Sequence, residues 1–139
     1  NSMPLVARTM TALTAQTMRD FEAIVLDNAS AQGPPTLPDD PRFRLVQAPA
    51  NLGFAGGNNL AARQARGEWL ALLNPDAFPE PDWLANLLAA ARSHPGAAMA
   101  GSLQLDAADL TRLDGAGDCY HAFGVSWRGL LRPRCARVP

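Results

Sequence analysis

The sequence predicts an α/β layered domain built on a mainly parallel sheet. Three observations carry that expectation. Short apolar runs alternate with amphipathic helical segments, each of the first three runs stops at a polar cluster, and glycine or proline separates the elements. In such sheets ligands sit outside the carboxyl ends of the strands. The clusters at those ends are Asp27-Asn28, the Asn51 to Gly57 turn, and Asn74-Pro75-Asp76.

Each element has a local reason. Ser2 followed by Pro4 starts a helix, an oxygen cap and then a proline where its missing N–H costs nothing. Leu5, Val6, Met10 and Leu13 carry its apolar face to about Gln16. Phe21 to Leu26 is an apolar, partly β-branched run and reads as a buried strand. Pro34, Pro35, Pro38 and Pro41 then forbid regular structure, and Phe43 to Ala48 forms a second strand. The glycine-rich turn leads into a helix that ends near Arg66, where Gly67 tolerates positive φ. Trp69 to Leu73 is expected as a third strand. Pro81 and Asp82 open a helix whose face carries Trp83, Leu84, Leu87, Leu88 and Ala91, closed by His94-Pro95-Gly96. Ala97 to Leu105 is expected as a fourth strand. Beyond Asp106 the pattern fades into scattered glycines and a basic tail from Arg128 to Arg137.

The chain has 139 residues, 47% hydrophobic and 18% charged, with a net charge of -1. That size favours one domain over residues 1–139. A balanced charge gives no electrostatic footprint for nucleic acid. Cys119 and Cys135 lie too far apart for a ligand pair, and Cys119 with His121 falls short of the four ligands zinc wants. Two cysteines give no disulfide framework, and no stretch has the length of a membrane span, so a cytoplasmic protein is expected.

The chemistry resides in the three clusters. Asp27 closes an apolar run, so its carboxylate stands at the open end of a strand, where it can accept from a nucleobase N–H. Asn28 beside it can reach base or ribose, although Asp-Asn-Ala-Ser is also good turn chemistry. The segment Asn51 to Asn59 holds three glycines and three asparagines; glycines such as Gly53 let backbone approach a ligand, and a helix N-terminus favours negative charge. Its glycine spacing fits neither the dinucleotide fingerprint nor a phosphate loop, which disfavours a dinucleotide-dependent oxidoreductase. Asp76 is the candidate ligand for magnesium or manganese, a hard cation that completes its shell with substrate phosphates. Glu80 and Asp82 are accounted for by the dipole of the helix they precede.

Together FEAIVLDNAS, NLGFAGGNNLAARQARGEWLALLNPDAFPEPDWL and, more weakly, LDGAGDCYHAFGVSWRG resemble the family 2 glycosyltransferases, especially their bacterial rhamnosyltransferase-like branch. The resemblance implies the three-layer nucleotide-diphospho-sugar transferase fold, GT-A. It also implies a nucleotide-sugar donor, UDP- or dTDP-linked, a divalent metal, and inverting transfer to a glycan or lipid-linked acceptor in polysaccharide or cell-envelope synthesis. Carried over by position, Asp27 grips the base, Asn59 falls where the family keeps an asparagine, and Asn58 falls where many members have arginine. Asp76 is similar to the last acid of the family's DxD motif, with Asn74 in place of its first acid. Family members begin with an apolar strand and continue into a half bearing the acidic general base and the acceptor site. The resemblance therefore implies a fragment, with no catalytic base assignable within it. Attachment at the inner membrane face is compatible with such a role. A non-catalytic nucleotide-binding or interaction module retaining the fold is the alternative, and a nucleotidyltransferase on the same scaffold a further one.

Overall fold

The computed structural model describes residues 3–115, 118–120 and 126–128. It divides into two compact units, Asn1–Leu88 and Ala89–Pro139. The first contains helix α1 (Met3–Thr14), strands β1 (Ala23–Asp27) and β2 (Phe43–Gln47), helix α2 (Gly53–Ala62) and the first turns of helix α3 (Trp83–Ser93). Strands β1 and β2 run parallel, with Ala23 opposite Phe43 and Asp27 opposite Gln47.

Side chains alternate across a strand, so β1 serves two helices at once. Met10 of α1, Ala23 and Phe43 form the buried core, with Val6, Leu13, Phe21, Val25 and Leu37 packed around them. Leu26, one residue out of phase with Ala23 and Val25, lies instead against α2: a Cβ built on Gly57 would stand 2.7 Å from its Cδ2. The two helices thus cover opposite faces of the parallel pair, a small three-layer arrangement that brings the amino end of α2 to the carboxyl end of β1.

Ionic contacts fasten the loops of this unit. Glu22 accepts from the Arg66 amide at 2.6 Å and from the Arg44 guanidinium at 3.2 Å, and these bonds hold its carboxyl below the usual carboxylate range. Arg42 lies over the Phe21 ring, donates to the Thr14 carbonyl at the end of α1, and pairs with Asp40 at 2.6 Å. The Arg42 side-chain bonds lower the Asp40 pKa to about 2. A depressed folded-state pKa stabilises the fold above the unfolded value near 4 and is lost as pH falls from there toward 2. Acid unfolding should therefore begin at higher pH in Asp40→Asn, with the two proteins converging near pH 2, as circular dichroism across that range would record.

One expected strand does not form and another shrinks to two residues. Residues 69–73 form no strand and pair with none among the described residues, and Trp69, Leu70 and Leu72 are exposed. An apolar run becomes a strand only where a neighbour takes up its backbone N–H and C=O groups. Of residues 97–105 only Gln104–Leu105 is a strand. Met99 is 91% exposed and Leu103 is also exposed, so the run lacks the burial that would hold it extended. The helix expected to follow the glycine-rich turn begins inside it, at Gly53, and ends at Ala62 rather than Arg66.

In the second unit β3 (Gln104–Leu105) pairs antiparallel with β4 (Leu113–Gly115) through an irregular register. Between them Asp106 accepts from the Ala108 and Asp109 amides, and Asp109 from Thr111. Strand β5 (Asp118–Tyr120) pairs antiparallel with β6 (Ser126–Arg128). The parallel sheet is accordingly confined to the first unit among the described residues. His121, Cys135 and most of the basic tail lie outside the described residues.

Candidate functional site

The carboxyl end of β1 is the first of two loci. Asp27 ends that strand 6% exposed, and its Oδ1 accepts from the Ser30 amide at 3.0 Å. Ala29, between them, takes φ 59°, a left-handed conformation costing a non-glycine residue about 1 kcal/mol. Strained backbone of this kind gathers at functional sites. The turn and ligand readings of this cluster are compatible in one geometry: one carboxylate oxygen organises the turn, and the group stands at the strand's open end.

Asn28 engages both ends of its amide. Its Nδ2 donates to Asn51 Oδ1 and to the Gly53 carbonyl, each at 3.1 Å, while its Oδ1 accepts from the Leu52 amide at 2.9 Å. Asn51 Oδ1 also accepts from the Gly53 amide at 2.9 Å. Asn28 thus clamps the glycine-rich turn against the end of β1, and Gly53, at φ 68°, supplies the left-handed residue that starts α2. Asn58 donates back to the Phe54 carbonyl at 2.9 Å, and Asn59 beside it is exposed. Asp27, Asn28, Gly53 and the first turns of α2 are therefore one contiguous arrangement.

Gly57 makes that arrangement possible, and the sequence reading passed over it. It is the buried residue of α2, and a side chain there would meet Leu26 at 2.7 Å and Asn28 Nδ2 at 3.5 Å. Overpacking of this sort costs about 1–3 kcal/mol. Gly57→Val is expected to lower stability by that amount in urea unfolding; an unchanged midpoint would mean that α2 does not sit this close to β1.

Asp76 belongs to the second locus. It is exposed on a tight turn closed by the Ala77 amide on the Asn74 carbonyl at 3.1 Å, and Asn74 is exposed beside it. The turn is tied to α1 by the Thr9 hydroxyl, within 2.8 Å of the Pro75 carbonyl and 3.0 Å of the Ala77 carbonyl. Further along, the Arg8 guanidinium lies 3.8 Å from the centre of the Phe78 ring. Gln16, two residues past the end of α1, donates to the Glu80 carbonyl at 2.7 Å and accepts from the Leu84 amide at 3.0 Å, capping the start of α3 from a distant segment. Thr9 and Gln16 read in the sequence only as polar residues of the first expected helix, which in the structure ends at Thr14, with no local sign of partners so far along the chain.

Among the described residues no three His, Cys, Asp or Glu groups cluster as a metal cage. One exposed carboxylate on a turn does fit magnesium or manganese, which take one or two carboxylates and fill the remaining positions with phosphate and water. An open cavity of about 500 Å³ lies elsewhere, between α1 and the proline-rich loop, lined by residues such as Ala7, Met10 and Leu37, and holds none of the candidate residues. No helix among the described residues is long and apolar enough to cross a membrane.

Known proteins resemble the chain over much of its length. A succinoglycan biosynthesis protein, ExoO, of Rhizobium meliloti (strain 1021) is 32% identical over 118 residues, covering 83% of this chain and 32% of the relative. An uncharacterized protein, y4gI, of Sinorhizobium fredii (strain NBRC 101917 / NGR234) is 34% identical over 68% of this chain and 11% of its own length. EpsH of Bacillus subtilis (strain 168), provisionally named a glycosyltransferase, is 28% identical over 63% of this chain and 27% of its own length. The chain thus spans about a third or less of the curated relatives it matches. No solved structure matches it at a significant level. The profile of Glycosyl transferase family 2, whose members have the GT-A fold and generally use a divalent metal, matches residues 1–114, a span that includes both loci. The chain belongs to glycosyl transferase family 2.

Proposed function

We propose that this chain is the donor-binding part of an inverting glycosyltransferase, of the rhamnosyltransferase-like kind, that moves a sugar from a UDP- or dTDP-linked donor. The acceptor is a glycan or lipid-linked glycan, and the setting is polysaccharide or cell-envelope synthesis on the cytoplasmic side of the membrane. The observation that carries the reading is the buried Asp27 at the carboxyl end of β1, clamped by Asn28 to the glycine-rich start of α2.

A carboxylate placed there accepts the imide N–H of uracil or thymine and leaves adenine, which has no such donor, without a match. The amides of the first turn of α2, approached closely at Gly53, favour the anionic diphosphate. Asn58 and Asn59 offer side-chain amides to ribose or phosphate, and Asn74 flanks the diphosphate from the other locus. Asp76 holds the divalent cation, which when bound neutralises charge building on the departing diphosphate. The acceptor's general base and the acceptor site belong to the rest of the whole enzyme.

Calorimetric titration of UDP, dTDP and ADP into the chain, with and without Mn²⁺, tests this reading. Tighter binding of the uridine or thymidine diphosphate, strengthened by Mn²⁺, is expected. Equal affinity for ADP, or no effect of the metal, would count against it.

A further inference from the structure

We propose that Thr9 is a positioning residue that sets the cation affinity of Asp76, an inference that rests on Asp76 being the metal ligand. Thr9 is 5% exposed on α1, and its hydroxyl has the Pro75 and Ala77 carbonyls at 2.8 and 3.0 Å. Those carbonyls belong to the residues on either side of Asp76. One hydroxyl has one hydrogen, so it donates to one carbonyl at a time, with the Leu5 carbonyl of its own helix as a third acceptor at 3.0 Å. The neighbouring bonds are already set: Pro75 fixes its own φ, the Ala77 amide closes the turn on Asn74, and Gln16 holds the chain again at Glu80. Thr9 is the tie nearest the carboxylate.

Asp76 itself is exposed, so burial does not fix its side chain; the backbone sets the direction in which its Cα–Cβ bond leaves the turn. A cation binds more tightly to a carboxylate held in place beforehand, because less freedom is lost on binding. Residues that orient a ligand without touching the metal typically change metal affinity by about 10–100-fold when removed. Thr9 stands in that relation to Asp76.

The test uses the full 139-residue chain as wild type, Thr9→Val, Thr9→Ser and Asp76→Ala, titrated with Mn²⁺ at saturating UDP. Metal-free hydrogen exchange at the Ala77 amide is followed in parallel. Thr9→Val, which keeps the shape and removes the hydroxyl, is expected to weaken Mn²⁺ binding about 10–100-fold. It should also speed exchange at Ala77 and leave metal-free UDP affinity unchanged. Thr9→Ser restores the wild-type values on both readouts. Thr9→Ala serves the same arm where Thr9→Val does not fold. A fall in melting temperature with unchanged Mn²⁺ affinity would leave Thr9 a merely structural residue and overturn the proposal. Asp76→Ala separates the two failures. If it abolishes Mn²⁺ binding while Thr9→Val does not, only the Thr9 role falls; if Asp76→Ala binds Mn²⁺ as the wild type does, the metal assignment falls and takes the Thr9 role with it.

Discussion

Gln16→Leu is expected to cost about 1–3 kcal/mol of folding free energy, although the substitution is close in volume and adds apolar surface. Gln16 is fully buried, at 0% exposure. Its amide N–H groups reach the Glu80 and Ala12 carbonyls at 2.7 and 3.3 Å, and its carbonyl takes the Leu84 amide at 3.0 Å. Leucine satisfies none of them. A buried polar group left without its partner costs about 1–3 kcal/mol; of the two partners the first, the Glu80 carbonyl, keeps the Trp83 amide at 3.0 Å, while the second, the Leu84 amide, is stranded. The second of these is one of the free N–H groups at the start of a helix, which must be capped by something. Against a total stability of about 5–15 kcal/mol the loss is large. Urea unfolding measures it, and a change below about 0.5 kcal/mol would show that the ends of α1 and α3 are joined by packing alone. Gln16→Glu refines the result, since it keeps the acceptor for Leu84, loses the donor for Glu80 and buries a charge.

The second large effect is expected at Asp76. Asp76→Ala removes the carboxylate proposed to hold the cation, and Mn²⁺ affinity in the presence of UDP should fall by more than the roughly 100-fold that marks the upper range for residues acting through a ligand. UDP binding without metal should be unchanged, because the base and the first turn of α2 do not depend on this side chain. The fold should be unaffected as well, since Asp76 is exposed and the turn is held through the backbone carbonyls of Pro75 and Ala77. A variant that loses metal-free UDP binding to the same degree would place Asp76 on the nucleotide itself instead.

Much of the first unit was legible in the sequence. The helical spacing of Val6, Met10 and Leu13 announced α1, and the apolar run ending at Asp27 announced β1, because both patterns are local. The missing strand at 69–73 and the shortened one at 97–105 show the limit of such patterns. Residues 69–73 have the composition of a strand, but a ladder is a property of two segments, and composition reports on one. Asn28 shows a different limit. Its type suited a ligand contact, yet each polar atom of its side chain is engaged by Asn51, Leu52 or Gly53, residues 23 to 25 positions along the chain. Thr9 and Gln16 were invisible for the same reason, with partners 64 to 68 positions away. Gly57 stood in plain view within a glycine-rich stretch, but only the distance to Leu26 separates it from glycines that merely permit a turn.

The account depends on Asp27 and Asp76 serving one bound nucleotide, the first at its base and the second through a cation at its diphosphate. Paramagnetic broadening by Mn²⁺ of the amide resonances of the isotope-labelled chain, at saturating UDP, tests this most directly. Broadening of Ser30 and Leu52 together with Ala77, and its loss from all three in Asp76→Ala, is the predicted result. Broadening confined to Ala77, with Ser30 and Leu52 still sharp, would place the two carboxylates at separate sites and contradict it.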